Sequence, residues 1–380
     1  MSRELVAHIR RAGPVGVTAE ELQTIVTGAI SRSILNRRLS QLCETGEIQR
    51  EGSGRAIRYV ATAPRSRAEV EAYFSQPATA RPLARFREAQ LGPTPAIDPA
   101  RAARCAELQA RARLMDRRHR AEFTMNFTWG SSVLEGSSYS ELDTEALVLH
   151  GWRSPDKPRE ETILAHNHMR AADFLLSQAD LSVASICILH SLLTGHQGQA
   201  AIAASDNPEP ADKRSEQMGP AGVPDHPWSP LPSGEPGDVH HALLLESVVD
   251  AAKRLSPVEA AFYLLTRISY LRHFRGGNRR LSRIVANIPL LAAGLVPISF
   301  ADVDRADYLL GLAEFDELGT THVIEQVFIQ AYVRSIIRSS EFPASMRNAG
   351  IDIELVAREM VAFVNSGKRP LGIARALVRS

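Results

Sequence analysis

Apolar residues return every three or four positions along most of the chain beyond residue 100. That period predicts helices over 102–129, 140–150, 160–177, 183–194, 241–255, 258–271 and 281–290. A tail from 350 to 380 keeps the same period over 353–364 and ends basic. Two stretches break the pattern. Residues 61–100 carry Pro64, Pro77, Pro82, Pro93, Pro95 and Pro99 among alanines and arginines, and read as a linker or a lightly structured strap. Residues 195–239 hold eight of the 22 prolines and few apolar residues. A loop of that length inside a helical domain is predicted to be a flap beside a site, with Trp228 anchoring or simply packing it.

The first sixty residues have a different rhythm. A helix is predicted over 4–11, a second opens at Thr18 with Glu21 three positions on as a capping box, and a third begins at Ser31. The third places Ile34, Leu39 and Leu42 inward and Arg32, Arg37 and Arg38 outward. Two alternating runs around Gly52-Ser53-Gly54 follow, which is a hairpin signal. Three helices and a glycine-tipped hairpin resemble a winged helix-turn-helix. Such a fold reads base edges with a helix and phosphates with the wing, so Arg32, Arg37 and Arg38 are candidates for the first task and Arg50, Arg55 and Arg58 for the second. Protein contact is the competing use of the same surface.

Composition narrows the class. With 44% apolar and 23% charged residues, and 44 basic against 43 acidic side chains, the profile is that of a globular protein, and a uniformly basic coat or an acidic tail is excluded. Only four lysines stand among the basic residues, an arginine excess that reads as codon bias. Cys43, Cys105 and Cys187 lie far apart, so neither a disulfide framework nor a cysteine zinc site is expected. The N-terminal residues contain no apolar run of export-signal length, and a cytoplasmic location with no membrane partner is expected. Residues 284–301 are uncharged, but Asn287, Pro289, Gly294, Pro297 and Ser299 break them, which predicts a helix, a break and a second buried segment.

The chemistry concentrates in residues 270–287, a glycine-rich turn leading into a helix. Arg280 and Arg283 are three apart and share a helical face. Backbone N–H groups at a helix start, the Asn278 amide and a converging guanidinium suit phosphate oxygens. A bare turn closed by Gly276-Gly277, with its arginines in solvent, is the competing reading. Other signals are weaker. His166-Asn167-His168 spells a nuclease motif without the ββα setting that nuclease needs, and His240-His241 beside Asp238 has no third metal ligand at suitable spacing.

The turn resembles the signature of the Fic (Fido) family, HxFx(D/E)GNGRxxR, and the surrounding sequence agrees over roughly 100–340. Trp129-Gly-Ser131-Ser-Val-Leu-Glu135-Gly136 is similar to the (S/T)xxxE(G/N) inhibitory helix of members regulated from the N-terminal side. The helix opening at Ser256-Pro-Val-Glu and the segments after the signature agree as well, and an N-terminal winged helix accompanies many bacterial members. The resemblance implies a mainly α fold, an all-helical core with a small β-hairpin flap, divided as 1–62 winged helix-turn-helix, 63–100 linker, 101–340 Fic domain and 341–380 helical tail. It also implies transfer of AMP from ATP to a protein hydroxyl. Phe274, Gly277, Asn278, Arg280 and Arg283 then fall on nucleotide-binding positions, with Asn278 and Arg280 on phosphate oxygens and Arg283 on the γ-phosphate or on the inhibitory Glu135 of the Ser131–Gly136 motif.

Two departures bear on activity. The position of the family's catalytic histidine is Arg272, and a guanidinium stays protonated and cannot serve as a base. The metal-binding carboxylate position is Gly276, so Mg²⁺ would be held weakly and no protein metal site is expected. His273 stands one residue away as a substitute that would need a register shift. Arg279 replaces the second glycine of GNG, as a lysine does in Doc-type kinases of the family. The expectation is therefore an impaired nucleotide-binding regulator, a pseudoenzyme coupled to a winged helix. The alternatives are an active AMP or phosphoryl transferase using His273, and a DNA-binding transcriptional regulator without nucleotide function. The expected partners are a protein target, DNA through the winged helix and a second copy of the chain as a homodimer.

Overall fold

The computed structural model describes all residues except 1, 13–15, 26–30, 46, 53, 55–56, 63–65, 82–83, 95, 109–116, 196–227, 230–238, 341–350 and 379–380. The described chain is mainly α, with two short two-stranded sheets. The N-terminal unit consists of α1 (Ser2–Arg11), α2 (Ala19–Ile25), α3 (Arg32–Glu44), β1 (Ile48–Glu51) and β2 (Arg58–Ala61). The Thr18 hydroxyl accepts from the Glu21 backbone at 3.2 Å while the Glu21 carboxylate accepts from the Thr18 backbone at 2.7 Å, the reciprocal cap the sequence predicts. β1 and β2 pair antiparallel, and Val17 bridges Tyr59 as a further antiparallel pairing. Leu5, Ile9, Leu22, Leu35, Leu39 and Ile48 form this unit's own core. One inward residue differs from expectation. Leu35 is buried and Ile34 is 48% exposed, because the stripe of α3 runs through 35, 39 and 42, a strict three-to-four step that 34 does not join.

The larger core is built around α11 (Pro257–Leu271), in which every side chain from Ala260 to Leu271 is buried. A helix buried on all sides needs neighbours on all sides. They come from α5 (Pro99–Glu107), α10 (Val239–Ala252), α12 (Asn278–Val285), α13 (Asn287–Ala292) and α14 (Arg305–Leu318). An outer group packs α6 (Arg117–Leu134) on α8 (Arg159–Ser177), with α7 (Glu141–His150) and α9 (Val183–Thr194) beside them. α15 (His322–Arg338) runs against α14, and α16 (Ile353–Ser366) against α15.

Three local features depart from the periodicity. The helix expected over 102–129 ends at Glu107, where Leu108 turns to ψ 137° and bridges Val378; residues 109–116 lie outside the described part, and α6 starts at Arg117. The helix expected over 281–290 breaks at Ala286, as the prolines and asparagine suggest. There the Asn287 side chain bonds both the N–H (2.6 Å) and the C=O (3.0 Å) of Ile298, satisfying the buried segment that follows. Of the flap, only β4 (Trp228–Ser229) is described, pairing in parallel with β3 (Ala84–Arg85); the expected hairpin lies outside the described residues.

Residues 66–92 take the strap reading. α4 (Arg67–Phe74) buries Val70, Tyr73 and Phe74 in the main core. The Arg81 guanidinium is wholly buried 3.4 Å from Glu317, which also accepts from the Tyr73 hydroxyl. Further along, the Gly92 carbonyl accepts from Arg267 at 3.0 and 3.2 Å, and the Leu91 carbonyl accepts from the Tyr263 hydroxyl at 2.6 Å. Burial pulls the Arg267 guanidinium down to about 10, where it remains a cation at neutral pH and lies over the faces of Tyr263 and Phe315. The strap is thus tied to the back of α11, the helix that ends at the glycine-rich turn.

Candidate functional site

α11 stops at Arg272, which adopts a left-handed conformation (φ 46°), and α12 begins after Gly277, also left-handed (φ 77°). Between them runs the turn that carries the signature. The Arg272 guanidinium points to the buried Asp316 at 3.4 Å. The His273 ring stands edge-on to Phe274 and 5.9 Å from the ring of buried His241, with its Nδ1 inside the protein. Asn278 is occupied by the turn itself: its Nδ2 donates to the Phe274 carbonyl at 2.6 Å and its Oδ1 accepts from the Phe274 N–H at 3.1 Å. Arg280 donates to the carbonyl of Leu193 at 3.3 Å. The anion-side groups expected from the sequence are therefore together on one turn and one helix, and Asn278 and Arg280 bond backbone carbonyls. Arg279 lies close enough to Glu135 to act on its charge.

Arg283 is the centre of the arrangement. It is completely buried, and its guanidinium donates to the Ser131 hydroxyl (2.9 Å), the Ser131 carbonyl (3.2 Å), the Tyr308 hydroxyl (3.1 Å) and the Glu135 carboxylate (2.7 Å). The pairing of Glu135 with Arg283 is the one the resemblance implies. Burial alone would push the Glu135 carboxyl up, but Arg283, with Arg279 and Arg280 behind it, brings it down to about 2. Because the folded value lies below the ordinary 4.5, the pair's contribution is complete above about pH 4.5 and is lost as pH falls toward 2. Urea unfolding of the wild type and of Glu135→Gln between pH 7 and 3 should show a stability gap that is constant above about pH 5 and narrows below it. A constant gap down to pH 3 would contradict the pairing.

The segment bearing Ser131 and Glu135 is held from several directions. Gly130 lets α6 lie against the chain: a Cβ there would sit 2.5 Å from the Ala301 nitrogen. Arg305 donates to the Leu134 carbonyl at 3.2 Å at the helix end, and Gly136 (φ 94°) makes the turn that releases the chain beyond Glu135. His168 lies between two serines of α6, with Nε2 3.0 Å from the Ser131 hydroxyl and Nδ1 3.0 Å from that of Ser132. It is fully buried, and burial with the nearby Arg283 and Arg280 holds it well below the usual histidine range, so it is neutral.

Tyr308 and His190 are members the sequence did not single out, and His168 was noted only within a nuclease-like motif that was set aside. His168 sits on the buried face of α8 with Ala165, Ala171, Ala172 and Leu175, so a polar residue on an apolar stripe was the available signal. Tyr308 and His190 left none, since their contacts cross from other helices.

In the N-terminal unit, Arg32 and Arg37 of α3 are exposed and Arg38 is half-buried, while Arg50 is exposed on β1. Arg58 instead donates to the Gly16 carbonyl at 2.9 Å and lies 3.9 Å from Glu21. Arg55 lies outside the described residues. Among the described residues, no group of three or more His, Cys, Asp or Glu could hold a metal ion, and no helix is long and apolar enough to cross a membrane. With glycine at 276, that position presents no side-chain oxygen to a cation.

No protein-family model and no curated protein matches the chain. Among solved structures it is similar to a fragment of Fic-1 from C. elegans, at 16% identity over 84% of this chain and 79% of that one, with a TM-score of 0.47. It is also similar to a Fic domain containing signaling protein from Bacteroides thetaiotaomicron, at 15% identity over 78% of this chain and 94% of that one, with a TM-score of 0.39.

Proposed function

We propose that this chain is a Fic-family regulator with impaired transferase chemistry, whose nucleotide pocket is closed by its own inhibitory glutamate and is coupled to an N-terminal winged helix. The observation that carries the reading is the buried contact of 2.7 Å between Glu135 and Arg283. A carboxylate and a phosphate compete for the same guanidinium, so the outer phosphates of ATP can engage Arg283 only when Glu135 leaves. Asn278 and Arg280 stand on the same helix as Arg283, and meeting the inner phosphates would exchange their present bonds to the backbone of Phe274 and Leu193.

The residues of the turn do not fit a family-type Mg²⁺ site, because Gly276 has no carboxylate. Arg272 cannot accept the proton of a target hydroxyl. The reading is therefore a nucleotide-responsive binder rather than an efficient AMP transferase. It is tested by calorimetry with ATP, ADP and AMP, with and without Mg²⁺, on the wild type and on Glu135→Gly. Binding by neither protein would remove the nucleotide part.

A DNA-binding role is supported by the exposed Arg32 and Arg37 on one helix and Arg50 on the adjoining strand. Retention on duplex DNA should weaken with salt, and Arg37→Ala with Arg38→Ala should flatten the log–log slope by roughly one to two units. Salt-independent retention, or no change in slope, would direct this surface to a protein partner instead.

A further inference from the structure

We propose that His190 is a positioning residue that braces the 272–278 turn at the place where this chain has glycine rather than a carboxylate. The inference rests on that turn being the ligand-facing element of the proposed function. His190 stands in the last turn of α9, and its ring lies flat on Phe274, with centroids 3.7 Å apart and planes 8° apart. Its Nε2 is 2.9 Å from the Gly276 carbonyl oxygen. A carbonyl can only accept, so Nε2 carries the hydrogen and donates it.

The same turn of α9 supplies two more contacts. The Leu193 carbonyl receives the Arg280 guanidinium at 3.3 Å, and the Thr194 methyl stands 2.7 Å from where a Cβ on Gly277 would be. Positions 190, 193 and 194 are three and four apart and share a helical face, so one surface of α9 moulds the signature turn. It also explains the glycine at 277: left-handed backbone and a neighbouring methyl leave no room for a side chain. Asn278 clasps the Phe274 backbone and His190 clasps its ring and the Gly276 carbonyl. A carboxylate at 276 could tie the turn through a cation. In this chain the peptide oxygen of that residue is tied by an imidazole.

Two variants separate the donor from the ring. His190→Phe keeps a flat ring and loses the N–H, whereas His190→Gln loses the ring and keeps a donor at a similar reach. Amide hydrogen exchange of residues 275–278 in the full chain should accelerate about tenfold in His190→Phe and stay within about threefold of wild type in His190→Gln, with the α11 core unchanged in both. In the wild type, imidazole nitrogen shifts should report the Nε2–H form of His190. Unchanged exchange in the phenylalanine variant, equal acceleration in both variants, or an Nδ1–H neutral ring would each overturn the assignment. In the Glu135→Gly background, His190→Phe should also weaken ATP by about tenfold. If Glu135→Gly binds no ATP at all, the nucleotide reading falls, while exchange and tautomer still decide the role of His190.

Discussion

Replacing Glu135 with glycine should destabilise the protein by about 3–5 kcal/mol, and ATP should return much of that loss. The first part follows from burial. Arg283 has no solvent exposure, and without Glu135 its charge is left facing two hydroxyls and a carbonyl. Removing one partner of a buried pair costs far more than the pair contributes, because the remaining ion has no counter-charge and no water. The second part follows from competition. An anion that satisfies Arg283 only in the variant stabilises the variant alone, by about 2.7 kcal/mol at a free concentration a hundredfold above its Kd. Thermal or urea unfolding of both proteins with and without ATP reads both parts. A variant as stable as wild type would show that the pair does not hold Arg283, and a destabilised variant indifferent to ATP would show that no phosphate takes the place of Glu135.

The second large effect is a gain. The wild type and Glu135→Gly should leave no label above background when incubated with labelled ATP. Glu135→Gly combined with Arg272→His and Gly276→Glu should label itself or an added protein extract. The histidine restores a group able to take the target's proton, worth on the order of 10²–10⁴ in rate. The backbone allows it, because Arg272 sits at φ 46° and histidine is among the side chains that enter that region more readily than most. Gly276, unlike Gly277, does not have a positive φ, so a glutamate there meets no backbone strain. Label in the wild type that disappears with His273→Ala would overturn this account and favour His273 as the base. Its position, beside His241 with Nδ1 buried, is the reason for expecting otherwise.

Much of this molecule was readable before any coordinates. The helices over 140–150, 183–194 and 258–271 follow from periodicity, since a helix that buries one face must repeat its apolar residues at that face. The Thr18 cap, the β1–β2 hairpin and the break near Ala286 follow from local chemistry, because caps, turns and prolines act within a few residues. That Glu135 and Arg283 meet was an expectation from the resemblance of the Ser131–Gly136 segment and the glycine-rich turn to a family pattern, not from the order of the residues. Local rules misled where a long-range contact outweighed them. Leu108 leaves its helix to bridge Val378, and Leu35 rather than Ile34 faces the first core.

What sequence alone determined is the set of groups and their order: Glu135 well ahead of a glycine-rich turn, arginine at 272 and glycine at 276 where the resembled signature has a histidine and a carboxylate, and Asn278, Arg280 and Arg283 after it. Tertiary structure decided what each group touches. His168 from α8, Tyr308 from α14 and His190 from α9 reach the site across 37, 25 and 86 residues of chain from the partners they bond. No period or motif encodes such pairings. They exist because packing in the fold withdraws these polar atoms from water, and their hydrogen bonds are then made within the protein.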